Sequence, residues 1–361
     1  MSALIGKVLG RCYLESVLGE GAMASVYKGT HQTLGIPVAV KVLHADAVLQ
    51  RSSHAASFRD RFRREAQLAA RLGHDGIVRV LDFGEDQGVL YLVMEYVHGH
   101  TLQECLRRMR SIGEEVAINI TAYMASAMQV AHAQNVIHRD LKPANVLVTQ
   151  EGWIKIADLG LAKEMGHNNM TNADTLVGTP SYMAPECFIA GKEVDPQADI
   201  YSLGIMLYEM ISGRPPFSGT LNQVISSHLH AEPSYSVEVG GVSTPMPSGL
   251  VTLLRALLAK KPEARSKTCA EVMALCQARV AELRVGAPQA QSGGSRSPGD
   301  LNSDSSTFQK ITHFMEKNLG SASSEYQGRK VMHTTQRERV VVWILLVLFI
   351  GGFVAAYEPL K

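Results

Sequence analysis

A glycine-rich segment near the start of the chain has the composition of a phosphate-binding turn. It reads Gly19-Glu20-Gly21-Ala22-Met23-Ala24-Ser25-Val26. Glycines let backbone N–H groups approach phosphate oxygens closely, but this motif alone is weak evidence of phosphate binding. The same spacing fits a dinucleotide-binding turn with Asp46 as the ribose ligand, or an ordinary hairpin turn. The dinucleotide turn requires a helix directly afterwards, whereas residues 25–30 alternate like a strand.

Four further motifs bring a lysine together with carboxylate and amide side chains. In chain order they are Val38-Ala39-Val40-Lys41, His138-Arg139-Asp140-Leu141-Lys142-Pro143-Ala144-Asn145, Asp158-Leu159-Gly160 and Ala184-Pro185-Glu186. Each of them alone is common, because an aspartate in a loop is usually a turn or cap residue. Their occurrence together, in this order and after a glycine-rich turn, is specific.

These motifs closely resemble the signature set of the protein kinase superfamily, over residues 13–283. The resemblance implies an α+β, bilobal fold with a small β-rich N-lobe and a larger helical C-lobe. It also implies transfer of the γ-phosphoryl group of ATP, a reaction that depends on positioning and charge neutralisation. The implied cofactors are ATP and Mg²⁺, for which Mn²⁺ could substitute.

The resemblance gives a role to each polar motif residue. Asp140 would accept the proton of the substrate hydroxyl, and Lys142 would contact the γ-phosphate. Asn145 and Asp158 would bind the metal, in keeping with the preference of Mg²⁺ for oxygen ligands. Lys41 would bind the α- and β-phosphates.

Two further sets of contacts follow from the resemblance. Glu65 is the best-placed carboxylate to pair with Lys41, the alternative being a solvated charge on a helix rich in charges. The backbone of residues 95–97, after Met94 as gatekeeper, would bind adenine. The implied nucleotide-binding residues are Leu18, Gly19, Glu20, Gly21, Ala22, Met23, Ala24, Ser25, Val26, Ala39, Lys41, Glu95, Val97 and Leu147.

Other features narrow the resemblance to the bacterial (Hanks-type) serine/threonine kinases. Lys142 and the Gly178-Thr179-Pro180 segment are typical of the serine/threonine branch. Glu186 and Arg265 match a buried ion pair of the family, which is architectural.

Two positions depart from the family pattern. Ala24 replaces the third glycine of the loop, and Leu159 replaces the usual phenylalanine. Both substitutions keep a small or an apolar group, so neither indicates an inactive enzyme.

The segment 158–186 is the implied activation loop. Its hydroxyl side chains include Thr171, Thr175, Thr179 and Ser181. A phosphate in this loop needs a cationic partner, which Arg139 could supply. We expect autophosphorylation at Thr171 or Thr175 to stimulate activity, the alternative being threonines that are merely exposed.

The elements that position these motifs are predicted from hydrophobic periodicity. Strands are predicted at 13–18, 25–30, 37–42, 77–83 and 89–97, and helices at 58–72, 114–134, 198–212 and 250–258. Strands followed by helices indicate an α+β chain with two lobes. The predicted organisation is an N-terminal tail over 1–12, a kinase domain over 13–283 and a flexible linker over 284–339, which is rich in small polar residues.

The segment Val340–Tyr357 contains 18 residues without a charge. As a helix it would be about 27 Å long, close to the thickness of a bilayer core. It predicts a single transmembrane helix, followed by a short far-side tail over 358–361. The basic residues before it predict a cytoplasmic kinase domain at the cell membrane. A buried C-terminal helix is the alternative.

The amino-acid composition limits the classes of partner that the chain can be expected to bind. With 35 Lys and Arg against 34 Asp and Glu, the chain lacks the basic footprint of a nucleic-acid binder. The five scattered cysteines predict free thiols. The expected partners are protein substrates with Ser or Thr, and a second copy for phosphorylation in trans, favoured by membrane anchoring.

Two other functions remain open from the sequence. A membrane-tethered pseudokinase or scaffold would be indicated by loss of Lys41, Asp140 or Asp158, all of which are present. A nicotinamide-dependent oxidoreductase rests on the glycine-rich turn and Asp46 alone.

Overall fold

The computed structural model describes residues 4–21, 24–44, 55–159, 180–239 and 241–286. Several sequence predictions lie outside the described residues: those on Ala22, Met23, Asp46, Thr171, Thr175, Thr179, the linker beyond residue 286, the helix 340–357 and the tail 358–361.

An antiparallel six-stranded sheet forms the N-lobe, in the order β1-β2-β3-β4-β6-β5. Its strands are β1 (Val8–Leu9), β2 (Cys12–Glu20), β3 (Ala24–His31), β4 (Ile36–Leu43), β5 (Val80–Asp86) and β6 (Val89–Glu95). The sheet thus begins earlier than predicted. β1 pairs with Cys12 and Tyr13, and Leu9 is buried, so part of the segment assigned to an N-terminal tail belongs to the domain.

Both faces of this sheet are covered, which explains its apolar strands. Successive side chains of a strand point to opposite faces. On β4, Val38, Val40 and Val42 pack on one face into an apolar cluster with Leu14, Tyr27 and Val93, here named the outer cluster. Ala39 and Leu43 pack on the other face into a cluster with Phe62, Ala66 and Leu92, here named the inner cluster. This alternation places Lys41 on the inner side, toward the C-lobe elements described below.

The helix α1 (Ala55–Ala70) covers the inner face of the sheet. Phe62, Ala66 and Ala69 lie at helical spacing and are buried in the inner cluster. The strand predicted from residue 77 begins instead at Val80, because Ile77 forms an isolated bridge with Ile156 of the C-lobe.

Helices dominate the C-lobe. They are α2 (Leu102–Met109), α3 (Glu114–Ala133), α4 (Gln197–Ser212), α5 (Leu221–His230), α6 (Ser248–Leu258) and α7 (Cys269–Gly286). The predicted two-lobe α+β architecture is confirmed. Helix α7 continues to Gly286, so the first residues of the predicted linker are helical.

Helix α4 lies at the centre of this lobe and is buried on all sides over most of its length. Its Gly204 allows close packing on α6, since a Cβ there would lie 2.8 Å from side-chain atoms of Leu257 and Leu258. A helix buried on all sides needs apolar residues all round, which explains its nearly continuous apolar sequence.

Short strands complete the lobe. β7 (Gly99–Thr101), β8 (Val146–Thr149) and β9 (Ile154–Ile156) form a three-stranded sheet, and β10 (Ser236–Val239) pairs with β11 (Val242–Pro245). The five cysteines, all within the described ranges, are buried and form no disulfides with one another. Among the described residues, we find no helix with the length and apolar character that a membrane crossing requires.

Candidate active site

The loop between α3 and β8 gathers three of the predicted site residues. Lys142 Nζ lies 3.0 Å from Asp140 Oδ2. Asn145 Nδ2 donates to the backbone oxygen of Asp140 at 2.8 Å and to Asp140 Oδ2 at 3.2 Å. A 3₁₀ turn over Pro143–Asn145 bends the chain so that these three side chains meet.

The β8–β9 hairpin brings the second metal-ligand candidate beside the first. Val146 pairs with Ile156, and the Ala157 N–H donates to the Asn145 backbone oxygen at 2.8 Å. Asn145 directly precedes one strand and Asp158 closely follows the other. Antiparallel pairing therefore places both side chains at the same end of the hairpin.

Lys41 joins this cluster from the N-lobe. Its Nζ lies 2.9 Å from Asp158 Oδ1, with both side chains partly exposed. Residues from three segments that are distant in sequence thus line one polar site: Lys41, then Asp140, Lys142 and Asn145, and then Asp158. The ammonium groups of the two lysines supply positive charge, and the two aspartates supply carboxylate oxygens.

The metal-ligand prediction fits the orientation of the Asn145 amide. Because its nitrogen donates to Asp140, its oxygen points away from that residue and is available as a ligand. An amide oxygen and a carboxylate suit a hard cation such as Mg²⁺. No group of three or more His, Cys, Asp or Glu side chains able to hold a metal occurs in the described part of the chain.

Asp199 of α4 anchors the catalytic loop, which is the segment 138–145 between α3 and β8. This role of Asp199 was not predicted from the sequence. Its carboxylate accepts the backbone N–H groups of His138 and Arg139, each at 2.9 Å, and lies 2.8 Å from His132 Nε2. Arg139 has a left-handed backbone, with φ of 62°, which these hydrogen bonds help to hold. The sequence feature that could have indicated this role is an aspartate in the first turn of a largely apolar helix.

The ring of His138 joins the two halves of the site. Its Nε2 lies 3.0 Å from the Ala157 backbone oxygen, and its Nδ1 accepts the Asp140 N–H at 3.3 Å. A carbonyl oxygen only accepts, so Nε2 carries the proton. His138 is fully buried and fixes Asp140 relative to the strand end before Asp158.

The electrostatic environment keeps Asp199 ionised. Burial alone would raise the pKa of its carboxyl group. The hydrogen bond from His132, electrostatic interactions with His132 and His138, and the His138 backbone N–H outweigh burial and hold the pKa below its usual value. Asp199 is therefore a charged acceptor at neutral pH.

This gives a pH-dependent prediction for Asp199→Asn. Since the folded-state pKa lies below the unfolded value, ionised Asp199 stabilises the fold above about pH 4, and this contribution is lost as the pH falls further. We expect the variant to lose about 2 kcal/mol of unfolding free energy at pH 7, because charged hydrogen bonds are removed. The parent should lose stability more steeply than the variant between pH 5 and pH 3, measured by urea denaturation.

Asp195→Asn is the matched control, since Asp195 is exposed and precedes the same helix. It should leave the stability at pH 7 nearly unchanged, because the amide oxygen can still accept the Gln197 N–H. Equal acid limbs for the parent and Asp199→Asn would contradict the prediction.

Three of the apolar residues predicted to bind the nucleotide lie in one region. Ala39, Val97 and Leu147 are partly buried and pack against the inner cluster of the N-lobe. Met94 pairs with Ala39 across β4 and β6. The Glu95 side chain accepts the Arg79 N–H at 2.9 Å and lies 2.7 Å from Lys155 Nζ, which fixes the strand end where adenine contacts are predicted.

The glycine-rich segment is a turn between antiparallel strands. β2 ends at Glu20, β3 begins at Ala24, and the Gly21 N–H donates to the Ala24 backbone oxygen at 2.9 Å. The strand after the turn excludes the dinucleotide-binding alternative, which requires a helix there. The Ser25 hydroxyl lies 2.9 Å from His44 Nε2, joining the start of β3 to the end of β4.

The pairing of Lys41 with Glu65 stays a prediction. The ion pair that the structure gives for Lys41 is with Asp158. Glu65 is half-buried on α1, next to Ala66, which packs into the inner cluster.

Two architectural predictions are confirmed. Leu159 is buried at 5% exposure in the C-lobe core, so the leucine does pack as an apolar group. Arg265 forms two hydrogen bonds with Glu186, of 2.6 and 2.7 Å, and both side chains are almost wholly buried. This pair joins the segment after the activation loop to the loop before α7.

Comparison with known proteins decides the family. Residues 13–290 match the model of the protein kinase domain. The chain belongs to the protein kinase family.

The kinase domain has many bacterial relatives. A probable serine/threonine-protein kinase of Streptomyces coelicolor is 39% identical over 78% of this chain and 42% of its own length. The serine/threonine-protein kinase PrkC of Bacillus subtilis is 38% identical, over 63% of this chain and 35% of its own. Pkn1 of Myxococcus xanthus is 36% identical, over 81% and 41% respectively. The chain spans about two fifths of the length of these relatives. The resemblance to bacterial Hanks-type kinases is confirmed.

Proposed function

We propose that the chain is an ATP-dependent serine/threonine protein kinase. The observation that carries the proposal is the polar site in which Lys41 pairs with Asp158 and in which Asp140 contacts Lys142 and Asn145. The names of the bacterial relatives support serine and threonine as acceptors. The presence of every one of these polar groups argues against a pseudokinase or scaffold.

The protein residues divide the reaction between them. The Asp140 carboxylate orients the acceptor hydroxyl and takes its proton, while Lys142 beside it neutralises charge on the transferred group. Lys41 binds the phosphates that remain on the nucleotide. A divalent ion held by Asn145 and Asp158 would neutralise phosphate charge. Ala39, Val97 and Leu147 would enclose the adenine ring.

The test is incubation of the full chain with γ-labelled ATP, a generic acceptor protein, and either Mg²⁺ or Mn²⁺. We expect label on serine and threonine but not on tyrosine, dependent on the cation. Label on tyrosine alone would contradict the serine/threonine assignment. ATP binding without transfer under any of these conditions would favour the scaffold.

We also propose that the kinase activates itself by autophosphorylation of its activation loop, in trans between two copies. The support is the set of hydroxyl residues at 171, 175, 179 and 181 and the cationic Arg139 next to the catalytic aspartate. Mass spectrometry of the active chain should find phosphate at Thr171 or Thr175. An active chain without phosphate in this loop would contradict the proposal.

Membrane anchoring through Val340–Tyr357 is the last part of the proposal, with the kinase domain cytoplasmic. The support is the uncharged 18-residue sequence and the basic residues before it. The full chain should sediment with membranes and resist alkaline extraction, whereas Leu346→Arg should weaken this, because an arginine at a helix centre costs about 3 kcal/mol on insertion. A chain that remains in the supernatant would contradict the anchor.

A further inference from the structure

A cysteine on the C-terminal helix contacts the residue that supports the catalytic-loop anchor. Cys269 Sγ lies 3.6 Å from His132 Nδ1, and His132 Nε2 lies 2.8 Å from Asp199 Oδ2. Asp199 in turn accepts the backbone N–H groups of His138 and Arg139. A continuous chain of polar contacts therefore runs from α7 through α3 and α4 to the catalytic loop.

The ionised Asp199 carboxylate decides the direction of each hydrogen bond in this series of contacts. An ionised carboxylate only accepts, so His132 must donate from Nε2 to Asp199. In the neutral ring, Nδ1 is then an acceptor, and the Cys269 thiol can satisfy it by donating its S–H. Burial, followed by the charge of Asp199, raises the pKa of the Cys269 thiol to about 12, so the thiol keeps its proton at neutral pH.

The first turn of α7 is held against α3, which fixes the thiol in place. The Ala270 N–H donates to Gln129 Oε1 at 3.1 Å, and Gln129 lies one helical turn before His132. The Thr268 hydroxyl accepts the Glu271 N–H at 3.2 Å and caps the helix start. Cys269 is fully buried between these contacts.

We propose that Cys269 is a positioning residue for phosphoryl transfer: its thiol holds the His132 ring in the orientation in which Nε2 donates to Asp199, and thereby keeps Asp199 oriented toward the catalytic loop. The inference rests on the proposed kinase function. It links α7 to the loop that carries Asp140 through His132 and Asp199. Removal of the thiol leaves a buried nitrogen without its donor and frees the ring to rotate away from Asp199.

The test compares Cys269→Ala and Cys269→Ser in the full chain. We expect Cys269→Ala to lower kcat about fivefold, the equivalent of one net hydrogen bond, with KM for ATP nearly unchanged because the nucleotide contacts are intact. Cys269→Ser should restore most of kcat, since a hydroxyl also donates to Nδ1.

Cys276 supplies the matched control on the same helix. It is as deeply buried, and burial alone raises the pKa of its thiol to about 12. Cys276→Ala should lower the melting temperature as Cys269→Ala does, because a similar volume is lost, but should leave kcat at the parent value. An equal fall of kcat in both alanine variants would reduce the effect to packing and overturn the proposal.

A spectroscopic measurement is independent of activity. Histidine-selective ¹⁵N labelling, with the His132 signals assigned from a His132→Asn variant, reports which ring nitrogen carries the proton. We expect the Nε2–H tautomer in the parent, and an Nδ1 signal shifted by a hydrogen bond in the parent and in Cys269→Ser but not in Cys269→Ala. A doubly protonated ring in the parent, or the same Nδ1 signal in the parent and Cys269→Ala, would overturn the inference. A parent chain that transfers no phosphate would instead contradict the proposed function.

Discussion

Asp140→Asn is expected to lower phosphoryl transfer by about a thousandfold, the scale of a lost general base. The variant retains the shape of the side chain, so Asn145 and Lys142 still have an oxygen nearby at which to donate. An amide, however, does not take up the proton of the acceptor hydroxyl. ATP affinity should change little, because the predicted phosphate contact at Lys41 and the metal ligands are untouched.

Measuring the single-turnover rate with labelled ATP, together with nucleotide affinity by calorimetry, separates these two effects. The matched control is Asp82→Asn, an exposed aspartate of β5 that accepts its neighbour's N–H. It should leave both quantities unchanged. A residual rate within tenfold of the parent would remove Asp140 from the role of base.

Arg265→Met is expected to cause the largest loss of stability among single substitutions of charged residues. The guanidinium pairs with Glu186 at two positions and also donates to the backbone oxygens of Gln197, Ala259 and Lys260. Its removal leaves a buried carboxylate without compensation, which costs about 3–5 kcal/mol. Urea denaturation of the full chain at neutral pH measures this loss.

Arg279→Met is the control, because Arg279 also forms an ion pair between segments that are distant in sequence, with Glu114 at 2.8 Å, but both side chains retain some exposure. We expect it to lose only about 1 kcal/mol, as solvent screens the charges that remain. Losses of similar size in the two variants would show that burial does not set the value of the Arg265 pair. Replacement of both Glu186 and Arg265 by apolar residues should recover part of the loss.

The sequence by itself determined the family, the two lobes and most of the polar residues of the site. Lys41, Asp140, Asn145 and Asp158 stand in short motifs whose order and spacing are specific. The main strands of the N-lobe and the helices α1, α3, α4 and α6 followed from periodicity, since each of them buries one or both of its faces, whereas α2, α5, α7 and the short C-lobe strands were not predicted. The observed strand boundaries differ from the predicted ones by a few residues where strand pairing decides them, as at Val8–Leu9 and Val80.

Only the tertiary structure decided how the motif residues are held. Asp199, His132 and Cys269 lie on three different helices, and none of them belongs to a motif with a local pattern. Their roles arise because burial makes an unpaired polar group costly, so each one must find a partner across the core. Local sequence carries no record of such pairings. The contact of Lys41 with Asp158 depends in the same way on how the β-sheet of one lobe meets the hairpin of the other.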